Sequence, residues 1–151
     1  MKNDLSSAKN AVYRLLNYRP RSEYELKAKL KEKKFDLSVI DQTIEYFKNT
    51  GLVNDEDFAK AWVNSRLNKP FGINRIRREL LDKGIDKEIL KKTLGFASEE
   101  YDELAMIRSL VDRKLQHGVH SDNDKFKQRI YNFLLRRGFG FSSIKKVIDQ
   151  I

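Results

Sequence analysis

One spacing pattern occurs three times in this chain and constrains its fold more than any other feature. The windows LKAKLKEKKFDLSVIDQTI from Leu26, IRRELLDKGIDKEILKKTL from Ile76 and IYNFLLRRGFGFSSIKKVI from Ile130 align without gaps. In each, an apolar residue is followed four positions later by Leu30, Leu80 or Leu134, and five further on by Phe35, Ile85 or Phe139. Ile40, Leu90 or Ile144 comes next, and then, after another four, Ile44, Leu94 or Ile148. Copies recurring at a period of about fifty residues mark repeated supersecondary units.

The pattern reads as helices joined by tight turns. Leu26 with Leu30, Ile76 with Leu80, and Ile130 with Leu134 place an apolar stripe on one helix face. Gly84 and Gly138 then stand where a left-handed residue ends a helix, and Lys34 fills the same place in the first copy. Asp36 and Asp86 are placed to cap the following helix, which makes Phe35–Ile40 and Ile85–Leu90 hydrophobic staples; Phe139–Ile144 repeats the staple around Gly140. A further helix precedes each pair, over residues 8–17, 55–68 and 98–116, with Asn54 and Ser98 as start signals ahead of Asp55-Glu56-Asp57 and Glu99-Glu100. Ser22-x-x-Glu25 is a capping box. The expectation is an all-α protein of three tandem three-helix, helix-turn-helix-like repeats, spanning 1–51, 52–97 and 98–151. The repeats are expected to stack into an elongated, curved array.

Composition bounds the chemistry. The chain has no Cys, which excludes disulfides, zinc–thiolate sites and thiol nucleophiles and fits a reducing, cytoplasmic setting. The N-terminal stretch does not read as a secretory signal, and no segment is apolar enough to cross a bilayer. The seven glycines are isolated and form no phosphate-binding loop. His117, His120, Asp122 and Asp124 make the best metal sketch, read here as a polar connection, and Asp55-Glu56-Asp57 is explained by helix-start electrostatics. No catalytic residue, metal or cofactor is expected.

The net charge of +9 points instead to acidic partners. Arg66, Lys69, Arg75, Arg77 and Arg78 follow one another with no acid between them, and the stretch from Lys125 to Lys146 is equally one-sided. With Ile73, Ile76 and Leu80 facing inward, Arg75 and Arg78 fall on an outward stripe. Arg129 occupies the repeat position of Arg75, and Lys125, Arg129 and Arg136 line a similar stripe. Such spacing suits phosphates along a backbone or acidic side chains of a protein partner alike. Lys33, Lys83 and Arg137 sit in last helical turns and read as complements to the helix dipole. Arg66, four residues after Trp62, is placed either to brace the repeats or to face a ligand. Phe58 and Trp62 read as core, and Tyr24, beside Lys27 and Lys31, is at most a stacking surface.

The stretches YRPRSEYELKAKL at 18–30, GLVNDEDFAKAWVNSRL at 51–67 and GINRIRRELLDKGI at 72–85 together resemble the RecX family of bacterial RecA regulators. The third repeat matches mainly in hydrophobic pattern, and Lys34 departs from the glycine often found there. The resemblance implies a non-enzymatic monomer that binds the RecA recombinase and the filament RecA forms on single-stranded DNA, inhibiting recombinase activity by blocking filament growth or favouring disassembly. Arg75, Arg77, Arg78, Lys125, Arg129 and Arg136 are the expected electrostatic contacts to RecA or DNA, followed by Arg66, Lys69, Lys27 and Lys31. The alternative is a sequence-nonspecific DNA-binding protein that acts without RecA; a metal-dependent nuclease built on His117, His120 and Asp122 ranks last.

Overall fold

A computed structural model describes residues 4–116 and 123–151. Among these residues the regular structure is helical: α1 (Leu5–Tyr18), α2 (Glu23–Glu32), α3 (Leu37–Asn49), α4 (Asp55–Leu67), α5 (Ile73–Asp82), α6 (Lys87–Glu100), α7 (Glu103–Gln116), α8 (Asn123–Arg136) and α9 (Phe141–Ile148). They form the expected three consecutive groups of three. No described helix is long and apolar enough to span a membrane.

The turn after the second helix of each group is the same object three times. Lys34, Gly84 and Gly138 adopt φ of 67°, 73° and 86°. The amide of the following residue donates to the carbonyl five back in each copy: Phe35 to Leu30, Ile85 to Leu80 and Phe139 to Leu134, at 3.1–3.2 Å. The left-handed residue itself donates to Lys31, Leu81 or Leu135 at 3.0 Å. This paired closure satisfies carbonyls that a helix end otherwise leaves open. The apolar residue after the turn is then driven inward, and Phe35, Ile85 and Phe139 are all buried. Their staple partners Ile40, Leu90 and Ile144 are buried as well.

Helix starts follow the sequence in part. Ser22 and Glu25 form the capping box, Asn54 accepts from Asp57 N at 3.1 Å, and Asp86 from Glu88 N at 2.8 Å. Asp36 occupies its cap position without a side-chain bond. Asp4 caps α1, which therefore starts before residue 8. The helix expected over 98–116 requires correction. Helix α6 continues through Glu100, so Ser98 is interior to it, and α7 begins only at Glu103 because Asp102 Oδ1 accepts the amide of Ala105 at 3.0 Å. The cap at α9 is supplied from a distance: Gly140 has no side chain to offer, and Glu103 accepts both Gly140 N (3.2 Å) and Ser143 Oγ (3.1 Å).

The chain divides into two compact units, Met1–Ala61 with Leu80–Leu90, and Trp62–Glu79 with Lys91–Ile151. In the first, α1, α2 and α3 bury Val12, Leu26, Leu30, Ile40 and Phe47. In the second, α7 and α8 pack on α9 around Ile107, Ile130, Leu134, Phe139 and Ile144. The residues that define the repeat pattern are thus the core residues, as the area-driven gain from burying large aliphatic side chains requires.

Candidate functional site

Each compact unit contains one joint in which the N-terminus of a second helix rests on the left-handed turn of a later repeat. In the first unit Ser22, fully buried, donates its hydroxyl to the Lys83 carbonyl at 2.7 Å. The same oxygen accepts from Glu25 N at 3.2 Å, and Glu25 accepts from Ser22 N at 3.2 Å. A Cβ on Gly84 would lie 2.3 Å from Tyr24 Cβ, so this glycine is required by close approach as well as by its φ. Glu25 completes the joint by binding Arg19 through both carboxylate oxygens and by lying 3.6 Å from Lys83 Nζ. Burial alone would push the Glu25 carboxyl up, but the Arg19 hydrogen bond, the Ser22 amide and the charges of Lys83 and Arg19 outweigh it and hold the group below its ordinary value. Every charge at this joint is answered.

The joint in the second unit uses the equivalent positions with different chemistry. Gly72 replaces Ser22, and backbone meets backbone: Gly72 N donates to Arg137 O at 2.8 Å and Asn74 N to Gly138 O at 3.0 Å. A Cβ on Gly72 would lie 2.3 Å from the Gly138 carbonyl, and one on Gly138 would lie 2.3 Å from Arg75 Cβ. Arg75 stands where Glu25 stands, and Arg137 where Lys83 stands. The carboxylate that bridges two cations in the first joint is therefore replaced by a further cation.

Those cations gather on one aromatic ring. The guanidinium carbons of Arg75, Arg66 and Arg137 lie 3.8, 5.6 and 5.8 Å from the centroid of Phe71. Arg137 also lies 4.9 Å, and Lys114 4.5 Å, from the Phe133 centroid. Such contacts stabilise by about 0.5–2 kcal/mol, more as water is excluded. Among the described residues the one carboxylate against them is Glu79, which accepts from Trp62 Nε1 at 2.8 Å and Arg75 Nε at 3.2 Å. Arg66 Nε lies 2.9 Å from the same carboxylate yet is not aimed at it, so that contact is an ion pair without a well-formed hydrogen bond. The segment carrying Phe71 is fixed by Tyr101, whose hydroxyl donates to Phe71 O at 2.8 Å. Burial, then the negative charge of Glu103, pushes the Tyr101 hydroxyl up to about 12, so it remains a donor across the ordinary pH range.

Of the expected contact residues, Arg75 is drawn into this cluster rather than left on an outward stripe, and Arg66 joins it from α4. Arg77 and Arg78 are exposed on α5, Arg77 holding Asn74 Oδ1 at 2.7 Å. Lys125, Arg129 and Arg136 are exposed on α8, and Lys69 is exposed after α4. Lys27 is occupied by Glu23 at 3.2 Å, while Lys31 is exposed on α2. Phe58 is buried as expected; Trp62 is only half-buried and spends its indole N–H on Glu79. Lys83 and Arg137, read as dipole complements, are joint residues. Phe71 and Glu79 were not anticipated. His117, His120 and Asp122 lie outside the described residues; Asp124 falls in the first turn of α8.

Family models for the first, second and third three-helix domains of RecX match residues 8–47, 54–94 and 100–148. The chain belongs to the RecX family. It is 35% identical to the "Regulatory protein RecX" of Chlorobium phaeobacteroides (strain BS1) over 98% of this chain and 95% of the relative. It is 32% identical to the protein of that name from Haemophilus influenzae (strain PittGG) over 96% and 95%. The crystal structure of RecX from Lactobacillus salivarius superposes with a TM-score of 0.81 at 23% identity, covering 97% of this chain and 95% of that one. The RecX fold and the three tandem domains expected from the repeat are thereby shown.

Proposed function

We propose that this RecX-family chain is a non-enzymatic regulator that binds the RecA recombinase and the RecA–single-stranded DNA filament and inhibits recombinase activity. The regulatory role comes with the family; RecA as target and inhibition as outcome are the finer reading. The observation that carries it is the charge reversal between the two joints. The first joint closes with Glu25 between Arg19 and Lys83, so both of its cations touch one carboxylate. The second keeps Arg66, Arg75 and Arg137 around Phe71 against, among the described residues, the single carboxylate of Glu79. Like charges held together cost stability, and the larger surplus kept at the second joint suits a negatively charged partner. A filament made of protein and DNA phosphate offers such charge at separated points, which the exposed cations of α5 and α8 extend to meet.

The test is the single-stranded-DNA-dependent ATPase of RecA with this protein titrated in, beside an Arg75→Glu/Arg77→Glu/Arg78→Glu variant whose helicity is checked by circular dichroism. Inhibition below equimolar protein, lost in a folded variant, is the expected result. Clean DNA binding with no effect on RecA turnover would replace the proposal by the reading of a DNA-binding protein acting alone.

A further inference from the structure

We propose that the Phe71 joint is an oxyanion site for a phosphodiester of a nucleic-acid strand, and that a bound phosphate occupies the role Glu25 plays in the first joint. The choice of a nucleic acid as the source rests on the filament-binding reading; the anion site itself rests on geometry. Glu25 bridges cations from two segments and so ties α2 to the turn after α5. At the equivalent place Arg75 on α5 and Arg137 after α8 face Phe71 together, and no carboxylate lies within ion-pair distance of Arg137 among the described residues. The hydrogen bonds that Glu79 accepts come from Trp62 and from Arg75 Nε, so among the described residues the terminal nitrogens of Arg75 remain available. Guanidinium forks present more donors than one carboxylate accepts, and a phosphate group matches them bidentately.

Phe71 has a definite part in this arrangement. Its face already carries the Arg75 guanidinium at 3.8 Å, so the ring orients cations and is not a platform for a base. Its carbonyl is held by Tyr101, and Gly72 next to it is pinned to Arg137 O, which fixes the ring relative to both arginines. The site therefore reads phosphate without reading sequence. Because the ligand spans α5 and the end of α8, binding stiffens the second unit.

Melting of the full chain and its affinity for a short oligothymidylate test this, using inorganic pyrophosphate and oligoglutamate as separate additives at constant ionic strength. The variants are Arg75→Glu, which recreates the acid–cation pairing of the first joint, Arg137→Gln, and Lys91→Glu as a control of equal charge change on exposed α6. The wild-type melting temperature rises with oligothymidylate and with pyrophosphate. Arg75→Glu, which loses the bond to Glu79, melts below wild type without ligand, gains nothing from either additive, and loses about ten- to a hundredfold in oligothymidylate affinity, the range for losing a charge-assisted contact. Arg137→Gln loses affinity in the same direction while Lys91→Glu follows only the small general charge effect. Equal losses in Arg75→Glu and Lys91→Glu would overturn the site in favour of diffuse electrostatics. Stabilisation by oligoglutamate but not by pyrophosphate would overturn it in favour of an acidic protein segment. RecA turnover is a separate readout: a protein that meets these expectations yet leaves RecA uninhibited retains the phosphate site and loses the regulator reading.

Discussion

At the first joint a carboxylate, Glu25, stands between Arg19 and Lys83; at the equivalent place in the second, Arg75 stands with Arg137 against the ring of Phe71. Ser22 reaches the first turn through a hydroxyl, whereas Gly72 brings its own amide to the second, and both arrangements end on the carbonyl that precedes a left-handed glycine. The contact that joins repeats is thus a backbone device, tolerant of what the side chains carry. Charge is a separate variable laid over it, with a carboxylate at the shared position in one copy and a further cation there in the other. The first repeat adds a contrast, since its turn has the same backbone bonds but carries an exposed Lys34 instead of glycine.

The comparison breaks first at the glycines. Gly138→Ala places a Cβ 2.3 Å from Arg75 Cβ at φ +86°, and is expected to lower unfolding free energy by about 3 kcal/mol or more in urea titration. Gly84→Ala should act in the same direction through Tyr24. A wild-type midpoint in either variant would mean that the joint is not closely packed.

Next in size is the first joint's dependence on its acid. Glu25→Gln leaves Arg19 and Lys83 without their carboxylate and should cost about 1–3 kcal/mol near neutral pH. Because the folded carboxyl lies below its ordinary value of 4.5, its contribution is present above that value and is lost as pH falls through the folded pKa. The wild-type and Glu25→Gln stabilities should therefore converge on acidification, and parallel curves would deny Glu25 this role.

The second joint has a test at the opposite end of the pH scale. Tyr101→Phe removes the bond to Phe71 O, for a loss of about 1 kcal/mol. The raised hydroxyl makes the wild type lose stability as pH rises from 10.0 towards about 12, a slope that should be shallower for the variant in alkaline thermal melts. The smallest effect, and one of opposite sign, is expected at Lys34→Gly. With φ 67° and an exposed side chain, glycine there relieves left-handed strain and should stabilise by about 1 kcal/mol. Destabilisation would show that Lys34 makes a contact that the two later turns replace by close packing.

Much of the fold is legible in the sequence because its signals are local. The spacing from Leu26 to Phe35 and Ile40 encodes a helix, a turn and a staple within fifteen residues, and Gly84 and Gly138 announce their φ by having no side chain. The break between α6 and α7 is not legible from Ser98 as a start signal, because the hydrogen bond of Tyr101 N to Ala97 O carries α6 past it and Asp102 supplies the cap. The candidate site was half legible. Its arginines stand out as an acid-free run, but Phe71 looks like any apolar residue, Glu79 like a solvated acid and Arg137 like a helix-end cation.

Three helical repeats, their turns and an excess of positive charge are written locally in the chain, since helix faces and left-handed turns depend on residues within about one or two turns of each other. Only the tertiary structure decided which cations are answered and which are not. Whether residue 25 meets residue 83, or residue 75 meets residue 137, depends on how separate helices pack across long stretches of chain. No local spacing records that distance, and it is the distance that separates the closed joint of Glu25 from the open one of Arg75.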